Sequence, residues 1–266
     1  GCSESLTQTE GPDFGLTEFA ARFDPGSIIG APRLVDCTLA EGMESTCVEV
    51  TLPVDPATFN MGPWCPTNIE DAASEGGIWL ESGQVWDVDG SFIQNLATFY
   101  DDPAWRMYDS ATGAVNVTNS REACAAAARP DVDPQYNNYC VQCLPEYVEP
   151  GLTTTYTLPL DPVPLRSLFG TTSEERAGPG GVGVALDGVR LDGPAPLDAI
   201  LDAHTIAPFD DCGGHVNLHA GYHYHAVTDC TGAPVMAVGA EAETIGVAMD
   251  GHLILSRSLA DGSKPE

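Results

Sequence analysis

The chain has 266 residues, and 39 acidic residues against 10 basic ones give it a formal net charge of −29 at pH 7. Such a charge repels phosphate backbones and anionic headgroups, so it excludes nucleic acid and membrane binding through basic residues. With 43% hydrophobic residues, the chain can bury the core of one large or two modest domains.

The N-terminal residues 1–30 combine Ser, Thr, Glu, Gly and Pro with scattered apolar positions, without helical periodicity. We expect a tether, or an extended segment that becomes ordered against a partner surface. Cys2 is the odd one of nine cysteines, in the sequence GCSE, which resembles the end of a bacterial lipoprotein signal. Membrane attachment is therefore expected only through a lipid on Cys2, and a free or intermolecular thiol is the alternative.

Short strands are predicted from residue 32 onwards. Residues 33–39 and 46–52 alternate and are rich in β-branched side chains, and 77–81 and 84–88 flank a Ser-Gly turn. A short helix is predicted over 122–128, capped by Asn119. Because many short strands are separated by turns, we predict an all-β or β-dominated fold that begins with an immunoglobulin-like sandwich.

Eight cysteines can form four disulfides, which indicates an oxidising compartment and hence a secreted or cell-surface protein. Cys140 and Cys143 have the spacing of a redox motif, but they lack the strand-then-helix context, so a structural role is favoured. The spacing leaves the connectivity open. The cysteines predicted to form disulfides are Cys37, Cys47, Cys65, Cys124, Cys140, Cys143, Cys212 and Cys230.

One sequence pattern occurs twice in the C-terminal half, as GVALDG at 183–188 and GVAMDG at 246–251. In both copies an apolar run reaches Asp-Gly and then continues as a second apolar run. This pattern predicts a tight hairpin whose glycine adopts a positive φ at low cost. We interpret the repeat as two hairpins that bracket one site.

Four of the six histidines lie within eleven positions, between the two predicted hairpins. In a strand, His223 and His225 project from one face about 7 Å apart, while Tyr222 and Tyr224 project from the other. Two imidazoles at this spacing can bind one metal ion, and neutral imidazole suits Zn, Cu, Fe or Ni better than Mg or Ca, with Zn or Cu as the favoured candidates.

Further ligands for this metal are available nearby. His215 or His219 is predicted to supply a third nitrogen, and Asp211 is a candidate ligand or an acceptor that orients a ring. His252 is a minor candidate for a fourth ligand. The alternative interpretation is that the histidine rings stack and hydrogen-bond within a glycine-rich core closed by a disulfide.

The ordered motifs of this half resemble the YHYH-domain protein family. The matching blocks are GVALDGV at 183–189, CGGH at 212–215, YHYH at 222–225 and IGVAMDG at 245–251, and 156–160 resembles the family's first strand. The resemblance covers about residues 155–255 and implies a β-rich domain in a secreted or surface protein, mostly from bacteria, without an established activity. His252-Leu253-Ile254 departs from the family's usual aromatic and proline continuation.

The predicted organisation follows from these observations. A β-rich immunoglobulin-like region is followed by a β-rich YHYH domain with short helices, and disulfides stabilise both. The predicted segments are residues 1–30 (N-terminal segment), 31–154 (immunoglobulin-like region), 155–256 (YHYH domain) and 257–266 (C-terminal tail).

Two further sites are weaker. Acidic residues at 87–91 and at 101–102 offer oxygen ligands, so Ca²⁺ is a second candidate cofactor, but the twelve-residue loop is absent and a solvated turn is favoured. Asn116 begins an Asn-Val-Thr glycosylation sequon.

The sequence contains no nucleophile elbow, phosphate-binding loop with Lys or zinc-protease motif, so we lean towards a protein without enzymatic activity. We expect an extracellular structural protein that assembles with copies of itself into a pilus-like filament by donating residues 1–30 to a neighbour. The alternatives are a secreted metalloenzyme, in which His215, His223 and His225 hold Zn or Cu with one open position, and a copper or zinc carrier.

Overall fold

The computed structural model describes residues 12–39, 42–55, 60–162, 181–193, 196–231 and 243–256. Within these ranges the helices are α1 (Pro12–Ala20), α2 (Gly90–Phe99), α3 (Arg121–Ala127) and α4 (Leu197–Asp202). The strands are β1 (Arg33–Thr38), β2 (Glu44–Pro53), β3 (Ile78–Glu81), β4 (Gln84–Asp87), β5 (Thr153–Pro159), β6 (Gly183–Ala185), β7 (Arg190–Leu191), β8 (Gly214–Asn217), β9 (Gly221–Tyr224), β10 (Thr244–Ala248) and β11 (Leu253–Leu255). The predicted β-dominated fold with short helices is confirmed. No helix in this described part is long and apolar enough to span a bilayer.

Two sheets pack face to face. One has the order β1-β2-β5, and the other has the order β11-β10-β6-β7-β9-β8. Their shared core contains Val48 and Leu52 from β2, Leu158 from β5, Val184 from β6 and Val247 from β10. The sandwich predicted within residues 31–154 thus extends across that boundary, because the apolar face of the three-stranded sheet is buried against strands from the C-terminal half.

The N-terminal segment differs from its prediction, since α1 is a helix where no helix was expected. Phe19 and Phe23 are buried in the core of the sandwich. The backbone N–H of Asp24 donates to the Leu186 carbonyl at 2.8 Å, and that of Ile29 donates to the Thr51 carbonyl at 2.8 Å. Tertiary packing of a few apolar side chains stabilises this short helix. Residues 1–11, with Cys2, and the tail 257–266 lie outside the described residues.

All eight cysteines predicted to be paired form disulfides. The pairs are Cys37–Cys47, Cys65–Cys140, Cys124–Cys143 and Cys212–Cys230. Both Cys65–Cys140 and Cys124–Cys143 lie between β2 and β5 in the sequence, and Cys65–Cys140 is part of a separate core that includes Trp79, Ile93 and Met107.

The two Asp-Gly repeats both form antiparallel hairpins, β6–β7 and β10–β11. Gly188 and Gly251 adopt φ values of +92° and +86°, as predicted. The hairpins also pair with each other, because Val247 on β10 lies opposite Val184 on β6. The prediction that they bracket one site is therefore wrong: β7 adjoins β9, whereas β10 and β11 lie at the far edge of the sheet.

Candidate metal centre

Three histidines meet on one face of the six-stranded sheet. His215 on β8 lies directly opposite His223 on β9, and His225 follows β9 by one residue. The ring centroids are 4.7 Å apart for His215 and His223, 4.9 Å for His215 and His225, and 5.0 Å for His223 and His225. One potential ligand nitrogen from each ring lies within 4.8 Å of the other two. The strand alternation predicted for His223 and His225 produces this convergence.

Backbone carbonyls orient the three rings. Nδ1 of His223 lies 3.1 Å from the Gly221 carbonyl oxygen, and Nδ1 of His225 lies 2.7 Å from that of Gly193. The His215 ring also hydrogen-bonds to the backbone of Ala207, in the connection between α4 and β8. Because a carbonyl only accepts, Nδ1 of His223 and His225 carries the proton, and Nε2 presents its lone pair.

The three imidazoles are held in their neutral form. Burial lowers the pKa of His215, His223 and His225, and it brings the pKa of His223 to about 4. The proximity of the rings adds to this effect for His215 and His223, since one positive charge opposes another. Neutral rings are the form that binds metal, so protons compete little for these nitrogens near neutral pH.

The cluster faces a cavity of about 430 Å³. Its lining also includes the apolar residues Val141, Pro196, Ile200 and Pro208. This volume admits a small molecule next to the three histidines, not merely a single ion with its water.

Two charged residues beside the cluster were not predicted from the sequence. Arg190 on β7 is the cross-strand neighbour of His223, and its Nε donates to Oδ1 of Asp192. The other carboxylate oxygen of Asp192 lies 3.7 Å from Nε2 of His223. The sequence did contain a signal for Arg190: it lies between two apolar residues, Val189 and Leu191, in a chain that has only ten basic residues.

The opposite face of β9 carries the two tyrosines of the motif, as predicted. The Tyr222 hydroxyl donates to Asp210 at 2.8 Å, and the Tyr224 hydroxyl donates to Asp187 at 2.8 Å. Burial is the main cause that raises the pKa of both carboxyls and of both phenols. These buried pairs fix the strand that positions His223.

The other predicted ligands lie apart from the cluster. Asp211 and His219 are exposed, and His219 is part of the turn between β8 and β9. His252 contacts Asp250 at the distant β10–β11 turn. The structure thus brings together three of the five predicted metal ligands.

The remaining predicted sites have structural contacts. Asp89, in the acidic stretch considered for Ca²⁺, caps α2 by accepting from the Phe92 N–H at 2.7 Å. Nδ2 of Asn116, the atom that glycosylation modifies, lies 3.1 Å from the Asn138 carbonyl oxygen. Calcium binding and glycosylation stay predictions.

Comparison with known proteins adds one finding. Residues 155–265 match the model of a family described as YHYH protein, and this match includes all three clustered histidines. No curated protein and no solved structure matches the chain.

Proposed function

We propose that the domain that matches the YHYH family model, residues 155–265, binds one transition-metal ion, zinc or copper, through His215, His223 and His225. The observation that carries the proposal is the convergence of three ring nitrogens within 4.8 Å of one another. Three adjacent acceptor nitrogens cannot donate to one another, so their lone pairs repel at this point. A cation at their centre removes this conflict.

The donor set and its distances fit such an ion. Nitrogens that share a tetrahedral zinc at about 2.0–2.1 Å lie roughly 3.4 Å apart. The three ring nitrogens lie up to 4.8 Å apart. If each nitrogen moves by about 1 Å towards the centre of the cluster, they reach the separation that a zinc ion requires. The carbonyls that accept from Nδ1 of His223 and His225 keep Nε2 directed inward during this closure.

The cavity favours an open coordination position over a closed carrier site. Structural zinc sites use four protein ligands, whereas catalytic sites use three and leave the fourth position to water or substrate. Here three protein nitrogens border about 430 Å³ of space. We therefore favour a metal centre that exchanges a ligand. Four disulfides support a secreted or cell-surface location, because they persist in oxidising compartments.

The test is metal stoichiometry by elemental analysis after loading with Zn²⁺ or Cu²⁺ and gel filtration. We expect one ion in the wild-type protein and none in the His223→Ala/His225→Ala double variant. His219→Ala is the matched control, because His219 belongs to the same histidine-rich segment but is exposed and outside the cluster. Equal metal content in the double variant and the wild type would disprove this function.

Assembly into a pilus-like filament through residues 1–30 has less support. Within the described part of that segment, Phe19 and Phe23 are buried in the core of their own chain. Donation to a neighbour would first expose both aromatic rings, at about 1.5–3 kcal/mol for each. Assembly stays a prediction, and filaments in negative-stain electron micrographs of the full chain would revive it.

A further inference from the structure

The cavity beside the histidine cluster contains a positively charged group that the proposed metal site does not use. This group is the guanidinium of Arg190, which lines the cavity. The Arg190 side chain is only 19% exposed, and Arg190 is the cross-strand neighbour of His223. The guanidinium brings a positive charge to this cavity within a strongly acidic chain, and the Asp192 carboxylate beside it pairs with it.

The contacts of Arg190 fix its orientation and leave part of it available. Its Nε donates to Oδ1 of Asp192, and the backbone N–H of Asp192 donates to the Tyr224 carbonyl at 2.9 Å. A Cβ at Gly181 would lie 2.6 Å from that carboxylate oxygen and 2.9 Å from Nε, so the pair is tightly enclosed. Among the described residues, the two terminal nitrogens of Arg190 have no hydrogen-bond partner.

The same carboxylate connects the arginine to the metal site. Asp192 contacts Arg190 through Oδ1, and its Oδ2 lies 3.7 Å from Nε2 of His223. The Asp192 carboxylate thus bridges the guanidinium of Arg190 and the metal-binding Nε2 of His223. Asp192 is a positioning residue, because it holds Nε and leaves the outer edge of the guanidinium for another group.

We propose, on the basis of the metal site above, that the cavity binds a small organic carboxylate with an apolar body. One carboxylate oxygen occupies the open position of the metal, and the other accepts from the terminal nitrogens of Arg190. The planar fork of arginine matches carboxylate geometry. The apolar residues Val141, Ile200 and Pro208, which also line the cavity, contact the rest of the molecule.

The experiment uses the full chain loaded with Co²⁺, whose visible absorption reports a change of ligand. Benzoate is the probe, and benzamide is its neutral counterpart of the same shape. We expect benzoate to change the spectrum at concentrations at which benzamide does not. Measured at saturating Co²⁺, Arg190→Gln is expected to weaken benzoate binding by about ten- to a hundredfold, as for the loss of a charged hydrogen bond.

Two further variants keep the test decisive. Arg129→Gln is the matched control, because Arg129 also borders the cavity but contacts Asp131 and is 45% exposed. We expect it to bind benzoate as the wild type does. Should Arg190→Gln fail to fold, Arg190→Lys keeps the charge but lacks the fork, and it is expected to weaken benzoate binding several-fold.

The outcomes separate this inference from the metal site. If the wild type does not bind Co²⁺, both proposals fail. If it binds Co²⁺ but benzoate leaves the spectrum unchanged, or if Arg190→Gln or Arg190→Lys binds benzoate normally, the carboxylate site is disproved and the metal site stands. Inorganic phosphate that binds as tightly as benzoate would also overturn the assignment, because it lacks an apolar body.

Discussion

The two faces of strand β9 use similar side chains in opposite ways. On one face, the Tyr222 and Tyr224 hydroxyls each donate to a buried carboxylate, and both tyrosines are at most 1% exposed. On the other face, His223 is also buried, but its ring lies against two other imidazoles and a cavity. The hydroxyls of the tyrosine face are satisfied by groups of the same chain, whereas the ring nitrogens of the histidine face converge at a cavity, where we propose that a cation binds.

Within the four residues 222–225, the two tyrosines therefore contribute mainly to stability, and we expect the two histidines to contribute mainly to function. A hydrogen bond to a buried carboxylate stabilises the fold, since either partner alone would be buried unpaired. Three converging acceptor nitrogens do not stabilise the metal-free fold in this way, so their placement indicates a ligand. We therefore expect substitutions on the tyrosine face to lower stability, and substitutions on the histidine face to lower metal binding.

The largest effect on stability is expected from Asp210→Ala. Asp210 is 1% exposed and accepts from the Tyr222 hydroxyl and from the N–H groups of Gly62, Cys212 and Gly214. Its loss leaves several buried donors unpaired, so the free energy of unfolding should fall by about 3–5 kcal/mol. Urea unfolding of the wild type and the variant measures this difference in the free energy of unfolding.

The neighbouring Asp211 provides the control for that experiment. Asp211 is exposed, so Asp211→Ala should change the free energy of unfolding by no more than about 0.5 kcal/mol. Equal losses in the two variants would show that the buried carboxylate does not stabilise the tyrosine face.

A smaller loss is expected from Tyr224→Phe. This change removes the hydroxyl that donates to Asp187 at 2.8 Å and leaves the ring in place. Because Asp187 still accepts from the Val189 N–H, the free energy of unfolding should fall by about 1–2 kcal/mol. Tyr136→Phe is the control, since the Tyr136 hydroxyl has no hydrogen-bond partner in the described part of the chain. A loss in the control as large as in Tyr224→Phe would contradict the assignment.

The pH dependence of stability offers a third test of the tyrosine face. Burial raises the pKa of Asp187 above its ordinary 3.8. Between the ordinary pKa of the unfolded state and the raised pKa of the folded state, the folded state binds more protons than the unfolded state. This carboxyl therefore contributes less stability as the pH rises through that range. Asparagine does not ionise, so the stability lost in Asp187→Asn should be larger near pH 4 than near pH 7, as measured by urea unfolding at both values. A difference that stays constant over this range would contradict the raised pKa.

The sequence alone predicted which side chains lie on each face of β9, but it did not predict the residues that they contact. The two faces of β9 follow from the period of two in a strand, which is a local property, and the Asp-Gly turns follow from glycine at positive φ. The partners of the tyrosines are not local: Asp187 is 37 residues from Tyr224. The parallel pairing of Arg190 with His223 also spans a long connection, so no spacing rule revealed it.

Tertiary packing accounts for the other differences between prediction and structure. Helix α1 has few local signals, and the burial of Phe19 and Phe23 against the sandwich stabilises it. A smaller error concerns α3, which Ser120 caps in place of Asn119, because the Ser120 hydroxyl accepts from the Ala123 N–H at 3.1 Å. Both residue types are good caps, so sequence alone leaves such boundaries uncertain by a residue.

The smallest effect on the metal-free fold is expected from His225→Gln. The glutamine amide can still donate to the Gly193 carbonyl, as Nδ1 of His225 does at 2.7 Å, so stability without metal should change by less than about 1 kcal/mol. Zinc at 100 times its Kd stabilises the wild type by about 2.7 kcal/mol, and His225→Gln should lose most of this gain because one ligand is gone. Thermal unfolding with and without Zn²⁺ measures both quantities, with His219→Gln as the control. If the variant kept the full zinc-dependent rise in Tm, the histidine face would not be the metal site.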